Sequence, residues 1–181
     1  MRRKRFDAMV SLVGLGLSVF LFVAAGLLNW GYSFADNTVN SQLSAQNIYF
    51  PEKGSPGFDA ETYPDLQQYG GMQMTTGKQA QMYADFYIAE HLKLMAGGKT
   101  YSEVSNLSRA NPADAVLAEQ VQNLFRGETL RGTLLTAFAF WQLGQIAKLS
   151  SYAALLAGAL MLFMTMLGYR HLRRTPEEAT I

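Results

Sequence analysis

Two uninterrupted apolar runs frame the chain. Residues 8–35 read AMVSLVGLGLSVFLFVAAGLLNWGYSFA, and residues 149–169 read LSSYAALLAGALMLFMTMLGY. Neither run contains Asp, Glu, Lys, Arg or His. A helix needs about 20 apolar residues to cross a bilayer, so each run is long enough for one span.

Between the runs the pattern changes twice. Over residues 33–72 neither a helical nor a strand period is sustained. Three of the five prolines fall there, at Pro51, Pro56 and Pro64, with several glycines. The apolar positions are mostly aromatic: Tyr49, Phe50, Phe58, Tyr63 and Tyr69. The stretch reads as a long irregular arm, and aromatics argue against plain disorder. Either the arm packs back on its own helices, or it lies over another protein. In the second case those five rings, with Tyr101 and Trp141, are the candidate partner contacts.

From about residue 77 helical spacing returns. Thr76 and Gln79 have the spacing of a capping box, and Ala80, Tyr83, Tyr87, Leu94 and Met95 supply much of an apolar face. A short helix is expected over 101–108. Another begins near Asn111-Pro112, with Asn as the cap and Pro in the first turn. It carries a stripe of Val116, Leu117, Val121, Leu124 and Phe125, and Gly127 and Gly132 are candidate bends. The uncharged run 133–147 is short for a span. It reads as an amphipathic helix leading into the second span, with Gln142, Gln145 and Lys148 on one side.

Charge orients this layout. The formal net charge of +1 hides basic flanks: Arg2, Arg3, Lys4 and Arg5 before the first run, and Arg170, Arg173 and Arg174 after the second. Cytoplasmic flanks collect such charges, so both ends are expected in the cytoplasm. Residues 33–148 then lie outside and are mildly acidic, with eleven acidic against eight basic residues. The start also resembles a secretory signal, with SFA before Asp36. Its apolar run exceeds the usual length of a signal core, so an uncleaved anchor is expected.

Candidate chemistry is sparse. There are no cysteines, which removes disulfides and thiolate ligands. MAGGKTYSEV (95–104) contains the Gly-Gly-Lys-Thr tail of a phosphate loop. The full motif needs a glycine at position 93 and a preceding strand, but position 93 is Lys and a helix precedes. The plainer reading is a helix joint. Gly97 or Gly98 ends one helix in a left-handed turn, and Thr100 with Glu103 caps the next.

His91, beside Glu90 and near Asp85, does not make a convincing metal site. His171 sits among the C-terminal arginines. Thr175, in RRTPEE, is a weak phosphorylation candidate. No nucleic-acid-binding stripe is present, and no cofactor or catalytic residue is expected.

The spans carry small residues at close spacing: Ser11, Gly14 and Ser18 in the first, and Ser150, Ala154 and Gly158, with Ala153 and Ala157, in the second. Such faces permit close helix approach. They would serve either the two helices of this chain or a foreign helix. Trp30, Tyr32, Tyr152 and Tyr169 suit the membrane interface.

The stretch YADFYIAEHLKLMAGGKTYSEV (83–104), set between two spans, resembles a family of small actinobacterial two-span membrane proteins. Its members often carry a ring-opening dioxygenase label that misleads. Here the segment before the helix is longer, and RGETLRG is richer in glycine. The layout is also similar to that of accessory subunits of the cytochrome bcc–aa3 respiratory supercomplex. That likeness implies a non-catalytic subunit of a larger plasma-membrane assembly, with other integral membrane subunits and the bilayer as partners. The alternative is a membrane-tethered module that binds a lipid or peptide.

The expected fold is therefore an all-α membrane protein with two transmembrane helices, both ends inside. Its parts are a basic flank (1–7), a first span (8–32), an irregular arm (33–72), a helical segment (73–148), a second span (149–169) and a cytoplasmic tail (170–181).

Overall fold

A computed structural model describes residues 3–174 and Pro176; the candidate Thr175 lies outside them. The described residues are helical, with one isolated antiparallel bridge, Tyr49 with Gln73, and no strand. Two long helices dominate: α1 (Arg3–Ala45) and α5 (Ala115–Leu172). Between them come a 3₁₀ helix (Pro64–Tyr69), α2 (Gly77–Met82), a π-helical turn (Tyr83–Ile88), α3 (Ala89–Met95) and α4 (Tyr101–Ala110).

Two boundaries differ from the sequence reading. Residues 33–45 belong to α1, so the irregular segment is shorter than 33–72. No Gly or Pro interrupts residues 35–45, so the helix runs on until Asn47 takes a left-handed φ of 52°, and Val39 and Leu43 continue its buried face. Next, α5 starts at Ala115. Its cap is Asp114, whose Oδ1 accepts the amides of Val116 (3.0 Å) and Leu117 (3.1 Å). Asn111 instead closes α4, donating from Nδ2 to the Leu107 carbonyl. As the spacing predicts, the helix that holds Gly127 and Gly132 continues into the second apolar run.

The chain divides into two compact units. The hairpin unit comprises residues 3–34 and 144–174. Its helices run antiparallel, because pairings descend along one as they rise along the other. Ser11 lies against Gly168, Gly14 against Thr165, Leu21 and Phe22 against Gly158, and Tyr32 against Lys148. Buried positions recur every seven residues: Ser11, Ser18 and Ala25 on α1, and Gly144, Ser151, Gly158 and Thr165 on α5. A seven-residue period keeps one seam facing its partner along both helices.

The seam is built from small side chains, so the backbones approach closely. An added β-carbon at Gly158 would sit 3.1 Å from the Phe22 ring, and one at Gly14 would sit 2.5 Å from Thr165 Oγ1. Of the sequence candidates, Gly14, Ser18, Ala154 and Gly158 all fall on or beside this seam. Ser150 is exposed and Ser151 takes its place, while Ala153 and Ala157 face outward.

The outer faces are apolar. On α1, Leu12, Val13, Phe20 and Leu27 are exposed; on α5, so are Leu149, Leu156, Leu160 and Phe163. Both helices are long and apolar enough to cross a membrane, and only 17% of each most apolar window is buried. That low burial distinguishes them from the core helices of a water-soluble protein, which hide such side chains.

Candidate functional site

The aromatic unit, residues 35–143, contains the chain's main core and every candidate site outside the hairpin. Its centre is Phe50, Phe58, Tyr63, Leu66, Met74, Ala80, Ala84, Ile88, Val104, Leu124 and neighbours. The irregular segment between α1 and α2 supplies the first five of these. Its backbone is held by bonds between Phe50 N and Met72 O (2.9 Å) and between Met74 N and Ile48 O (2.8 Å). Gln67 Nε2 ties it further by donating to the Phe58 carbonyl at 2.9 Å.

This placement corrects the reading of the arm rings as partner contacts. Phe50, Phe58 and Tyr63 are buried, and Tyr69 is half-buried against Phe50 at 5.2 Å. Aromatic rings in a segment without helical or strand periodicity bury themselves on the neighbouring helices, because that removes their area from water. Only Tyr49, 56% exposed, remains available.

Trp141 is also engaged internally. Its Nε1 donates to Asp36 Oδ1 at 2.9 Å, and its side chain lies against Gly77. Tyr101 stays exposed beside Phe125, with ring centroids 6.0 Å apart. Leu94, Met95, Val116 and Phe125 are exposed as well, although the sequence spacing placed them on apolar faces.

The π-helical turn explains part of that shift. One extra residue in the turn rotates everything after it, so the buried positions become Ala80, Ala84, Ile88, Leu92 and Ala96. The turn also stacks side chains along one edge. Tyr83 and Tyr87 lie 4.8 Å apart, and Tyr87 and His91 lie 4.3 Å apart. Arg131 clamps the turn from α5: Nε donates to the Ala84 carbonyl (3.2 Å), and Nη2 meets Asp85 Oδ1 (3.3 Å). The apolar series at strict four-residue spacing is the one sequence trace of this turn; the Arg131 clamp, more than forty residues away, leaves none.

Two polar groups converge on one ring nitrogen of His91. His91 Nδ1 lies 2.9 Å from the Tyr87 carbonyl and 3.2 Å from the Tyr63 hydroxyl. A carbonyl only accepts, so the first contact places the proton on Nδ1. Burial pushes the Tyr63 phenol up, helped by Tyr87 and the charges of Glu90 and Asp59. Burial pushes Tyr83 up to about 12, with a further contribution from Tyr87. Both phenols therefore stay neutral at physiological pH. Among the described residues no three His, Cys, Asp or Glu side chains are grouped to hold a metal.

Beside this cluster lies a cleft of ≈ 340 Å³, bordered by Tyr63, Pro64, Asp65, Asp85, Phe86 and Glu90 among others. Two of its carboxylates have cationic partners: Asp85 with Arg131, and Glu90 with Lys93 at 3.3 Å.

The joint at 95–104 is a complete stop-and-start. Gly97 and Gly98 have φ of 58° and 79°, where a β-carbon would clash with the backbone. Gly98 N donates to Lys93 O (2.8 Å) and Gly97 N to Leu94 O (3.2 Å), which closes α3. Thr100 Oγ1 then accepts the Glu103 amide, and Glu103 Oε2 accepts the Thr100 amide at 2.7 Å. The Thr100 backbone and hydroxyl bonds hold the Glu103 carboxyl below its ordinary value.

A pH dependence follows. Because the folded-state value is the lower one, the cap's contribution is present above the ordinary carboxylate range. It is lost as pH falls through the lowered value. Acidification is expected to loosen the first turn of α4 before the rest, and Thr100→Ala to remove the effect. Amide signals of Thr100 and Glu103 followed by NMR across that range check it; a first turn indifferent to both would contradict it.

Comparison of the chain with protein-family models, with curated proteins and with solved structures gives no match.

Proposed function

We propose that this chain is a non-catalytic accessory subunit of a larger membrane assembly. Residues 8–32 and 149–169 would cross the bilayer, with both ends cytoplasmic and residues of about 33–148 outside. One observation carries the membrane part: both long helices keep an apolar outer surface after pairing with each other. Basic residues at the two chain ends support the orientation.

The subunit part rests on what the spans lack and on what the aromatic unit leaves bare. No Asp, Glu, Lys, Arg or His side chain lies within residues 8–35 or 149–169, whereas transport and proton transfer through a membrane use such groups. Tyr49, Leu94, Tyr101, Val116 and Phe125 present apolar surface on the other unit. The resemblance in layout makes the cytochrome bcc–aa3 respiratory supercomplex the first assembly to test.

Purification through a tag on this chain in mild detergent should recover haem-bearing subunits. Recovery of the chain alone across several detergents would overturn the reading. The second reading, a tethered module that binds a lipid or peptide, is favoured by the cleft beside Tyr63 and Phe86. A ligand that protects Phe86 and Thr62 from amide exchange, with no subunit recovered, would select it.

A further inference from the structure

The C-terminal end of α5 carries a feature that the accessory-subunit reading does not use. Met166, Tyr169, Arg170 and Arg173 line a shallow groove of ≈ 300 Å³. Their spacing of three, four and seven residues places them on one helix face. The face changes character along its length. Leu156, Leu160 and Phe163 lead into it as exposed apolar side chains, and Met166 and Tyr169 continue that surface. The two guanidinium groups stand at the far end, with Arg173 lying over the Tyr169 ring at 5.8 Å.

We propose that this groove seats an anionic glycerophospholipid, with the headgroup phosphate on Arg170 and Arg173 and an acyl chain along Met166 and Phe163. The proposal rests on the reading that residues 149–169 lie in a bilayer. Charge complementarity selects the occupant. A guanidinium presents a planar fork of donors that matches phosphate oxygens, and an apolar track beneath two such forks matches a lipid rather than a free anion. The helix dipole works the other way, since a C-terminus carries about half a negative charge. Two full positive charges outweigh it. The aromatic face of Tyr169 helps to hold Arg173 in place.

The test uses the full chain reconstituted in vesicles of phosphatidylcholine and phosphatidylglycerol, extracted gently and weighed with its retained lipids by native mass spectrometry. The wild type is expected to retain phosphatidylglycerol in preference. The double variant Arg170→Gln, Arg173→Gln should lower that preference on the order of ten-fold. The variant Arg3→Gln, Arg5→Gln, which removes basic charge from the other helix, should leave it unchanged. Absence of preference in the wild type would overturn the proposal. So would an equal loss in both double variants, which would point to a diffuse basic flank instead of a seat. Displacement of the lipid by excess glycerol phosphate would overturn the choice of a lipid over a free anion. Resistance of the vesicle-bound chain to alkaline extraction reads the membrane assignment separately. A chain that stays inserted without preferring phosphatidylglycerol removes only the lipid seat, and one that is extracted removes both.

Discussion

Replacing Phe58 with alanine is expected to destabilise the aromatic unit by about 3–5 kcal/mol. The ring is fully buried. It stacks on Tyr63 and meets Tyr87 edge-on, each at 5.7 Å between centroids. Truncation would leave a hole among rings that pack on one another, with Tyr63 also held by its hydroxyl contact to His91, so little collapse can fill it. Domains of this size have about 5–15 kcal/mol of stability in all, and the loss takes a large share. Amide exchange on the full chain in detergent would show it. Protection at Phe50 and Met74, whose amides close the irregular segment onto itself, should fall sharply. The helix over residues 8–32 should keep its protection. Unchanged exchange at Phe50 and Met74 would mean that the ring is not part of a cooperative core. By the same logic, deleting residues 45–70 removes Phe50, Phe58, Tyr63 and Leu66 together. It would unfold the unit, where an arm lying over a neighbour could have been cut away harmlessly.

The second large effect is at Gly158. A β-carbon there already meets Phe22 at 3.1 Å and Leu21 at 3.3 Å, and a leucine side chain has nowhere to go without parting the helices. Gly158→Leu is expected to cost about 1–3 kcal/mol, concentrated in the pairing of α1 with α5. The absence of cysteine makes the measurement clean. A disulfide between Ser11→Cys and Gly168→Cys should form readily, since Ser11 Oγ lies 3.0 Å from a β-carbon built at Gly168. Adding Gly158→Leu should suppress it. Equal cross-linking with and without the leucine would show that the seam does not depend on close approach at Gly158. In lipid the effect is expected to exceed that of a polar substitution on the outer face. Helix association there rests on packing contact, not on the release of water.

Some features could be read directly because their cause is local. Thr100–Glu103 and Thr76–Gln79 are capping boxes in the structure, and a capping box needs only four residues in order. Gly97 and Gly98 take the left-handed conformation that their residue type allows. The small residues Gly14, Ser18 and Gly158 could be picked out by spacing. Their target could not, since the same stripe suits a foreign helix equally well.

Other features were hidden because their cause is distant in sequence. Whether Phe58 and Tyr63 cover a partner or this chain's own helices depends on where Tyr87 and His91 lie, about thirty residues away. The π turn at Tyr83–Ile88 and its Arg131 clamp join residues more than forty positions apart, and no periodicity records such a link. The exposure of Leu94 and Met95 follows from that turn, so the apolar face drawn from a regular 3.6-residue period went astray beyond it.

The sequence by itself determined the two apolar runs long enough to span a bilayer, the helical character of the segment before the second run and the joint at Gly97–Glu103. Each follows from the hydrophobicity, backbone freedom and hydrogen-bonding capacity of neighbouring residues. Only the tertiary structure decided that the small-residue stripes face each other and that the aromatic segment is core. Apolar surface is buried against whatever lies nearest in space, and a linear pattern does not carry that distance.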